Sequence, residues 1–316
     1  MRALVCSGFG KGENLALEER PLPEPGPGDI RVRVLACGAN ASDWEFVTGT
    51  PAYGRIARWF MRGDVLGSDV LGVVDKLGPG CTRFQIGDRV LADTLGTFGG
   101  FAEYCVAKEA QWVPVPEAVS DIDAVALPQS GTVALTGVQG RVGPGSKVLV
   151  NGAGGGSGPL AIQLAVEAGA EVWGVDTAAK AEVMRAAGAV RTLDFETEDF
   201  ADLDARFDLV LDLYGTRSMR RVRRVLAPGG QYLVVGGPVP RLLAAALAMV
   251  WSRFTSRRAG VLMVPQGPGA LGALLAMVAD GRLTPAIGRV APLDGARQAL
   301  IDMGARRIAG KLVIVP

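Results

Sequence analysis

Between Gly152 and Gly158 the chain reads GAGGGSG, five glycines among seven residues. Before it, Val148–Val150 is an apolar strand run; after it, Leu160, Leu164 and Ala168 recur at helical spacing. The glycines therefore sit between a strand and a helix. There they permit a tight turn, bring backbone amides against a pyrophosphate, and let the helix pack closely on the sheet. A GxGxxG pattern beginning at Gly152 fails, because Ser157 takes its last position. GxxGxxG holds at Gly152, Gly155 and Gly158, with Gly156 and Ser157 completing the turn. Asp176 ends the following strand 18 residues after Gly158, where a carboxylate accepts a hydrogen bond from a ribose hydroxyl. Strand, turn, helix and acid together predict a dinucleotide site. Glycines alone would leave a structural turn in a non-binding domain as the alternative. Tyr214 in DLYG and Gly236 and Gly237 in VVGGP end later strands, at the edge where doubly wound sheets bind ligands. They are expected beside a nicotinamide, with plain turn residues as the other reading.

The rest of the composition narrows the chemistry. The 316 residues include no histidine, and the four cysteines, Cys6, Cys37, Cys81 and Cys105, form no CxxC pair. That donor set makes no recognisable zinc site and suits reduced thiols in a cytoplasm. A formal net charge of +1 gives no long-range field for nucleic acid or anionic membranes. The N-terminus reads as a short strand running into polar loop, not as a signal peptide. The longest apolar run, LLAAALAMVW at 242–251, is about half of what a bilayer span needs, so no membrane span is expected.

These side chains need a scaffold, and the chain changes period to supply it. Up to about residue 110, DIRVRVLACG (29–38), VLGVVDKLG (70–78) and DRVLAD (88–93) are strands interrupted by Pro and Gly, a pattern for an antiparallel or barrel-like sheet. From about Val119, strands and helices alternate: KVLVNG, PLAIQLAVEAG, EVWGVD, AAKAEVMRAAG, FDLVLDLYG, SMRRVRRVLAPGG (218–230) as a helix, and QYLVVGG. Strand–helix–strand repeats with short links call for a parallel, doubly wound sheet. The tail is of mixed character: a helix near 270–281, then GARQALIDMGARRIAG, then a closing strand, KLVIVP. The expected class is α/β with two domains: 1–122 with 266–316, and a dinucleotide-binding domain over 123–265.

In this order the chain resembles the medium-chain dehydrogenase/reductase superfamily, and within it the zinc-free quinone oxidoreductase-like branch. The resemblance covers almost the whole chain. GANASDWEFVTG (38–49), VLGSDVLGVVDKLGPG (65–80), GDRV (87–90), GGFAEYCVA (99–107) and GAGGGSGPLAIQLA (152–165) carry it. It implies a GroES-like strand-rich catalytic domain joined to a Rossmann domain, and a homodimer, with GVLMVP (260–265) as a pairing edge. The zinc-dependent branch would carry a cysteine near Asn40, a histidine at Ser68 and a cysteine or acid near Thr132. None is present, so no metal is expected to polarise an alcohol.

The implied reaction is hydride transfer from NAD(P)H to a conjugated carbonyl (an enone or enoyl thioester) or to a quinone. Conjugation spreads the developing charge onto oxygen, so a few hydrogen-bond donors suffice. The resemblance points to Asn40, Ser42 and Tyr53 as the residues lining the substrate, with a proton from solvent or a phenol. Asp43 reads as a structural acid. Thr136 matches a helix threonine that faces the nicotinamide in relatives. Lys180 falls where NADPH-using quinone reductases bind the 2′-phosphate, while Asp176 would repel that group and Phe195 stands where such relatives often have tyrosine. The balance favours NADH. Two alternatives stand beside this: a cofactor-binding protein with little redox turnover, and a biosynthetic enzyme using the pocket for other conjugate-addition chemistry. The stretch RLLAAALAMVWSRFTSRR (241–258) is expected to pack on its own core, with a lid over an apolar substrate or a membrane contact as the other readings.

Overall fold

In DIRVRVLACGA, apolar Ile30, Val32, Val34 and Ala36 alternate along the chain, and all four are buried. That period of two makes a strand with one face in a core. It is the centre of the first sheet in a computed structural model that describes residues 1–59, 63–251 and 256–316. Phe60 of TGTPAYGRIARWF, and 252–255 of the apolar stretch at 241–258, lie outside the described residues.

The chain divides into two compact units, Met1–Thr132 with Gln266–Pro316, and Val133–Pro265. In the first unit β1 (Arg2–Cys6) and β2 (Leu15–Glu19) pair antiparallel. There follow β3 (Asp29–Ala39), α1 (Ala41–Thr48), α2 (Ala52–Trp59), β4 (Asp69–Leu77), β5 (Arg89–Asp93), β6 (Tyr104–Lys108), β7 (Trp112–Pro114) and α3 (Asp121–Val125). Helix α4 (Pro128–Val138) leads into the second unit. That unit holds β8 (Lys147–Asn151), α5 (Ser157–Glu167), β9 (Glu171–Asp176), α6 (Ala181–Ala186), β10 (Arg191–Asp194) and β11 (Phe207–Tyr214). It closes with α7 (Met219–Val222), β12 (Leu226–Gly236), α8 (Val239–Trp251) and β13 (Arg258–Val261). The tail adds α9 (Leu271–Ala279), β14 (Ile287–Pro292), α10 (Ala296–Gly304) and β15 (Lys311–Val315) to the first unit.

The first unit's main sheet runs β14-β15-β3-β4-β5-β7, with β6 also paired to β3. The closing strand β15 lies antiparallel to β3, with Leu312 opposite Ala39. Residues from opposite ends of the chain therefore share one core, in which Trp112, Phe101 and Ile30 are buried beside Leu300 and Ile314. Helix α3 packs on β3 and β4, which keeps the residues just after 120 with this unit.

The second unit is a six-stranded sheet in the order β10-β9-β8-β11-β12-β13, parallel throughout. The order reverses between β8 and β11, so the strand ends there form the crevice where such sheets bind ligands. SMRRVRRVLAPGG departs from its expectation. Its helix stops at Val222, and the strand begins at Leu226, which pairs with Phe207. Pro228, Gly229 and Gly230 fall where the ladder between β11 and β12 slips register, so they bulge a strand and do not stop a helix. Within 241–258, Ala245 of α8 lies in the second unit's core with Leu242 and Ala248 packed against it, as expected, while the other side of the helix is exposed.

Candidate active site

In the second unit, β8 feeds the glycine turn and α5 leaves it. The amides of Gly152 and Ala153 donate to the carbonyl of Val175, at 2.9 and 3.0 Å, which ties the turn to the end of β9. A Cβ on Gly158 would lie 2.3 Å from the backbone oxygen of Ala153, so any side chain there would force helix and turn apart. Gly154 is as constrained, since its Cβ would sit 2.5 Å from the Cβ of Lys180. The pattern GxxGxxG passes over Gly154; only the fold shows what it packs against. A Cβ on Gly155 would make only an ordinary contact, 3.5 Å from the carbonyl oxygen of Gly152. At the start of α5, Gly156 provides no side-chain cap and the first turn carries no acid. The leading amides of α5 are left for a ligand, and a helix start of this kind suits a phosphate group. The cradle therefore fits the pyrophosphate of a dinucleotide.

Asp176, ending β9, is nearly buried. Its Oδ2 accepts from the Gly154 amide at 3.0 Å and its Oδ1 from the Thr177 amide at 2.9 Å. Lys180 Nζ lies 3.3 Å from Oδ1, and the two side chains are 8% and 6% exposed. The residues read from the sequence as rivals for the cofactor are thus one buried ion pair. Phe195 donates its amide to the carbonyl of Asp176. Further along the strand ends, Tyr214 is half-exposed and pairs in register with Gly236, and the Gly215 amide donates to the carbonyl of Gly236. Gly237 has φ +134° and backs onto Gly215. Thr136, on α4, accepts from Arg141 Nε at its carbonyl. Beneath the edge lies a buried polar group within the apolar strand β11. Asp212 is fully buried, accepting from Asn151 Nδ2 at 2.7 Å and from the Tyr232 hydroxyl at 2.9 Å. Burial holds its carboxyl above the usual range, and burial next to that carboxylate raises the Tyr232 phenol as well. The network clamps β8, β11 and β12 together at the ends that carry the turn.

In the first unit the three candidate substrate residues have separate fates. Tyr53 donates its hydroxyl to Glu45 Oε1 at 2.8 Å, and Ser42 donates to Gln129 Oε1 at 3.0 Å. Asn40 starts α1, and its amide N–H is held by Asp43 Oδ2 at 2.8 Å. Its own side chain turns to a residue outside the expected set, Lys311. Lys311, at the start of β15, is 2% exposed and points its ammonium at three oxygens: Asn40 Oδ1 at 2.6 Å, Asp69 Oδ2 at 2.8 Å and Ser130 Oγ at 3.1 Å. All three of its hydrogens are used. Asp69, fully buried, also accepts from the Gln129 amide at 3.2 Å. A lysine opening an otherwise apolar, buried strand was the available signal.

Two more carboxyls lie in this unit. Burial, opposed by the Asn40 and Gly67 amides, pushes Asp43 up to about 7. Burial and the Asp69 charge push Asp93 up to about 7 as well. Ser68 Oγ is buried without a hydrogen-bond partner. Among the described residues, no group of three or more His, Cys, Asp or Glu side chains is placed to hold a metal ion. Asn40, Ser68 and Thr132 offer neither thiolate nor imidazole, and Asn40 is already engaged by an ammonium.

Two family models match the chain: the alcohol dehydrogenase GroES-like domain over residues 26–117 and a zinc-binding dehydrogenase domain over 187–314. Among curated proteins, the synaptic vesicle membrane protein VAT-1 homolog of Rattus norvegicus is 30% identical over 349 residues, covering 100% of this chain and 84% of its own length. A 2-haloacrylate reductase from a Burkholderia species is 28% identical, covering 99% of this chain and 98% of its own. Among solved structures, the quinone oxidoreductase from Coxiella burnetii superposes with a TM-score of 0.88 at 27% identity, covering 100% of this chain and 99% of that one. The Rossmann unit implies a nicotinamide-type cofactor. With full-length similarity and both domain types in order, the chain belongs to the medium-chain dehydrogenase/reductase superfamily, as a quinone-oxidoreductase-like oxidoreductase.

Proposed function

We propose that the chain is a metal-independent reductase that passes a hydride from NAD(P)H to a conjugated carbonyl or a quinone. The observation that carries this reading is the Lys311 ammonium, 2.6 Å from Asn40 Oδ1. A lysine can only donate, so the oxygen end of the Asn40 amide is committed inward. The Nδ2 hydrogens, whose nearest acceptor is the Gly38 carbonyl at a long 3.5 Å, remain for a substrate oxygen. When bound, the reduced nicotinamide supplies the hydride. Asn40 then acts as the catalytic donor to the oxygen on which negative charge develops, and the Lys311 charge behind it strengthens that donor. Ser42, Gln129, Asp69 and Ser130 position the pair. Tyr53 is tied to Glu45, so this reading takes the proton from solvent.

Such a site suits acceptors that delocalise charge, and Asn40, Ser68 and Thr132 offer no thiolate or imidazole to hold a Lewis acid for a simple alcohol. The acrylate and quinone named for two relatives are acceptors of that kind. On the cofactor side, Lys180 is spent on Asp176. A 2′-phosphate would have to break that pair and sit beside the carboxylate, whereas ribose hydroxyls need only its free lone pairs, so NADH is favoured. A cytoplasmic homodimer joined at the open edge of β13 belongs to the same reading.

The test is steady-state oxidation of NADH with a small enone and a benzoquinone, before and after exhaustive chelation, and with Asn40→Ala. The reading expects unchanged rates after chelation. It expects Asn40→Ala to lose about 10²–10³-fold in kcat, the usual cost of one oxyanion donor. Activity that falls on chelation and returns with zinc would overturn it.

A further inference from the structure

Chain-wide neutrality conceals a local asymmetry. From Leu213 to Ala279 the sequence contains nine arginines and neither aspartate nor glutamate. That block carries +9, so the remainder, +1 minus +9, carries −8. Two of these arginines, Arg217 and Arg221, pair with Asp199 and Asp202. Arg220, Arg223 and Arg224, on and just after α7, are exposed, as is Arg241 on α8. Among the described residues none of these four makes an ion pair.

Helix α7 packs against α8, and α8 packs on β12 and β13. The inward side of α8 meets the sheet at Ala245, which is fully buried. Opposite it, Leu243, Ala246, Leu247 and Val250 recur at helical spacing as one stripe facing solvent. Leu243, Leu247 and Val250 are 59%, 65% and 62% exposed. A globular helix puts such a stripe into a core. Here it is turned outward on a helix that packs against α7 and its unpaired arginines, and a contiguous exposed apolar patch marks a contact surface.

We infer that the outer face of α7 and α8 docks on an anionic lipid bilayer, with the α8 stripe entering the headgroup layer and the arginines meeting lipid phosphates. Apolar side chains flanked by basic ones are the two components of interfacial binding. A second copy is the poorer occupant. A two-fold contact through this face would set the unpaired arginines of α7 against their own copies, and like charges repel. The inference is independent of the redox reading, because neither the glycine turn nor the Asn40 network belongs to this face.

The experiment is co-sedimentation of the whole chain with vesicles of phosphatidylcholine alone or with 30 mol% phosphatidylserine. Variants are Leu243→Glu/Leu247→Glu and, separately, Arg220→Glu/Arg223→Glu/Arg224→Glu, with NADH affinity as the check on folding. The inference expects binding to the anionic vesicles only, weakened at least tenfold by either variant and by 0.5 M salt. Three results would each overturn it: no partition to anionic vesicles, equal partition to neutral ones, or a concentration-dependent dimer that Leu243→Glu/Leu247→Glu abolishes.

Discussion

Replacing Lys311 with Met tests how the first unit pays for its buried charges. The substitution keeps the length of the chain and removes the ammonium from three acceptors, Asn40 Oδ1, Asp69 Oδ2 and Ser130 Oγ. The Ser130 hydroxyl can rotate and Asn40 is uncharged. Asp69 is fully buried and keeps only the Gln129 amide at 3.2 Å. Removing one partner of a buried pair leaves an uncompensated charge and costs about 3–5 kcal/mol, a large share of the 5–15 kcal/mol typical of a folded domain. The double variant Lys311→Met/Asp69→Asn removes both charges and should recover most of that loss. The assay is hydrogen exchange of peptides from β3, β4 and β15, which reports on this unit regardless of the other. Lys311→Met should lower protection there between about a hundredfold and several thousandfold, with the double variant within about tenfold of the parent. If the two single losses simply add in the double variant, the pair is not coupled and the reasoning fails.

Two further outcomes follow from named groups. Asp176→Asn retains an acceptor for the Gly154 amide while releasing Lys180 from its ion pair. The ratio of NADPH to NADH affinity should rise about tenfold, or 1.4 kcal/mol, in a fluorescence titration; an unchanged ratio would show that Lys180 does not reach the 2′ position. Asp43 binds its proton at about 7 in the fold against a usual 3.8, so the folded state holds that proton to higher pH than the unfolded chain. Its contribution to stability is therefore greatest in acid and declines as pH rises from about 4 through 7, by up to the order of 4 kcal/mol. Thermal unfolding at pH 5 and pH 8 should show this slope, and Asp43→Asn should lessen it while Asp93, raised in the same way, keeps its share.

The glycine turn was legible because everything that defines it is local: an apolar run, five glycines, a helical period and an acid one strand later. Gly154 escaped because its constraint comes from Lys180, which the pattern does not contain. The Lys311–Asn40 contact spans 271 positions, and no periodicity reports which strand will lie beside β3. The boundary of α7 was misjudged because Pro228-Gly229-Gly230 carries the same signal whether it stops a helix or bulges a strand. Helix α8 shows a different limit. Its composition says apolar, but whether the apolar stripe faces the sheet or water depends on helical phase, and Ala245 alone faces inward enough to be buried.

In the proposed reaction hydride moves to a conjugated acceptor with only hydrogen-bond donors to stabilise the charge. Single turnover of metal-free protein with NADH carrying deuterium at both C4 positions and an enone in ordinary water, read by mass and NMR, addresses it directly. Deuterium should appear on the β-carbon and a solvent proton on the α-carbon. No deuterium in the product, or transfer only after zinc is added, would contradict it.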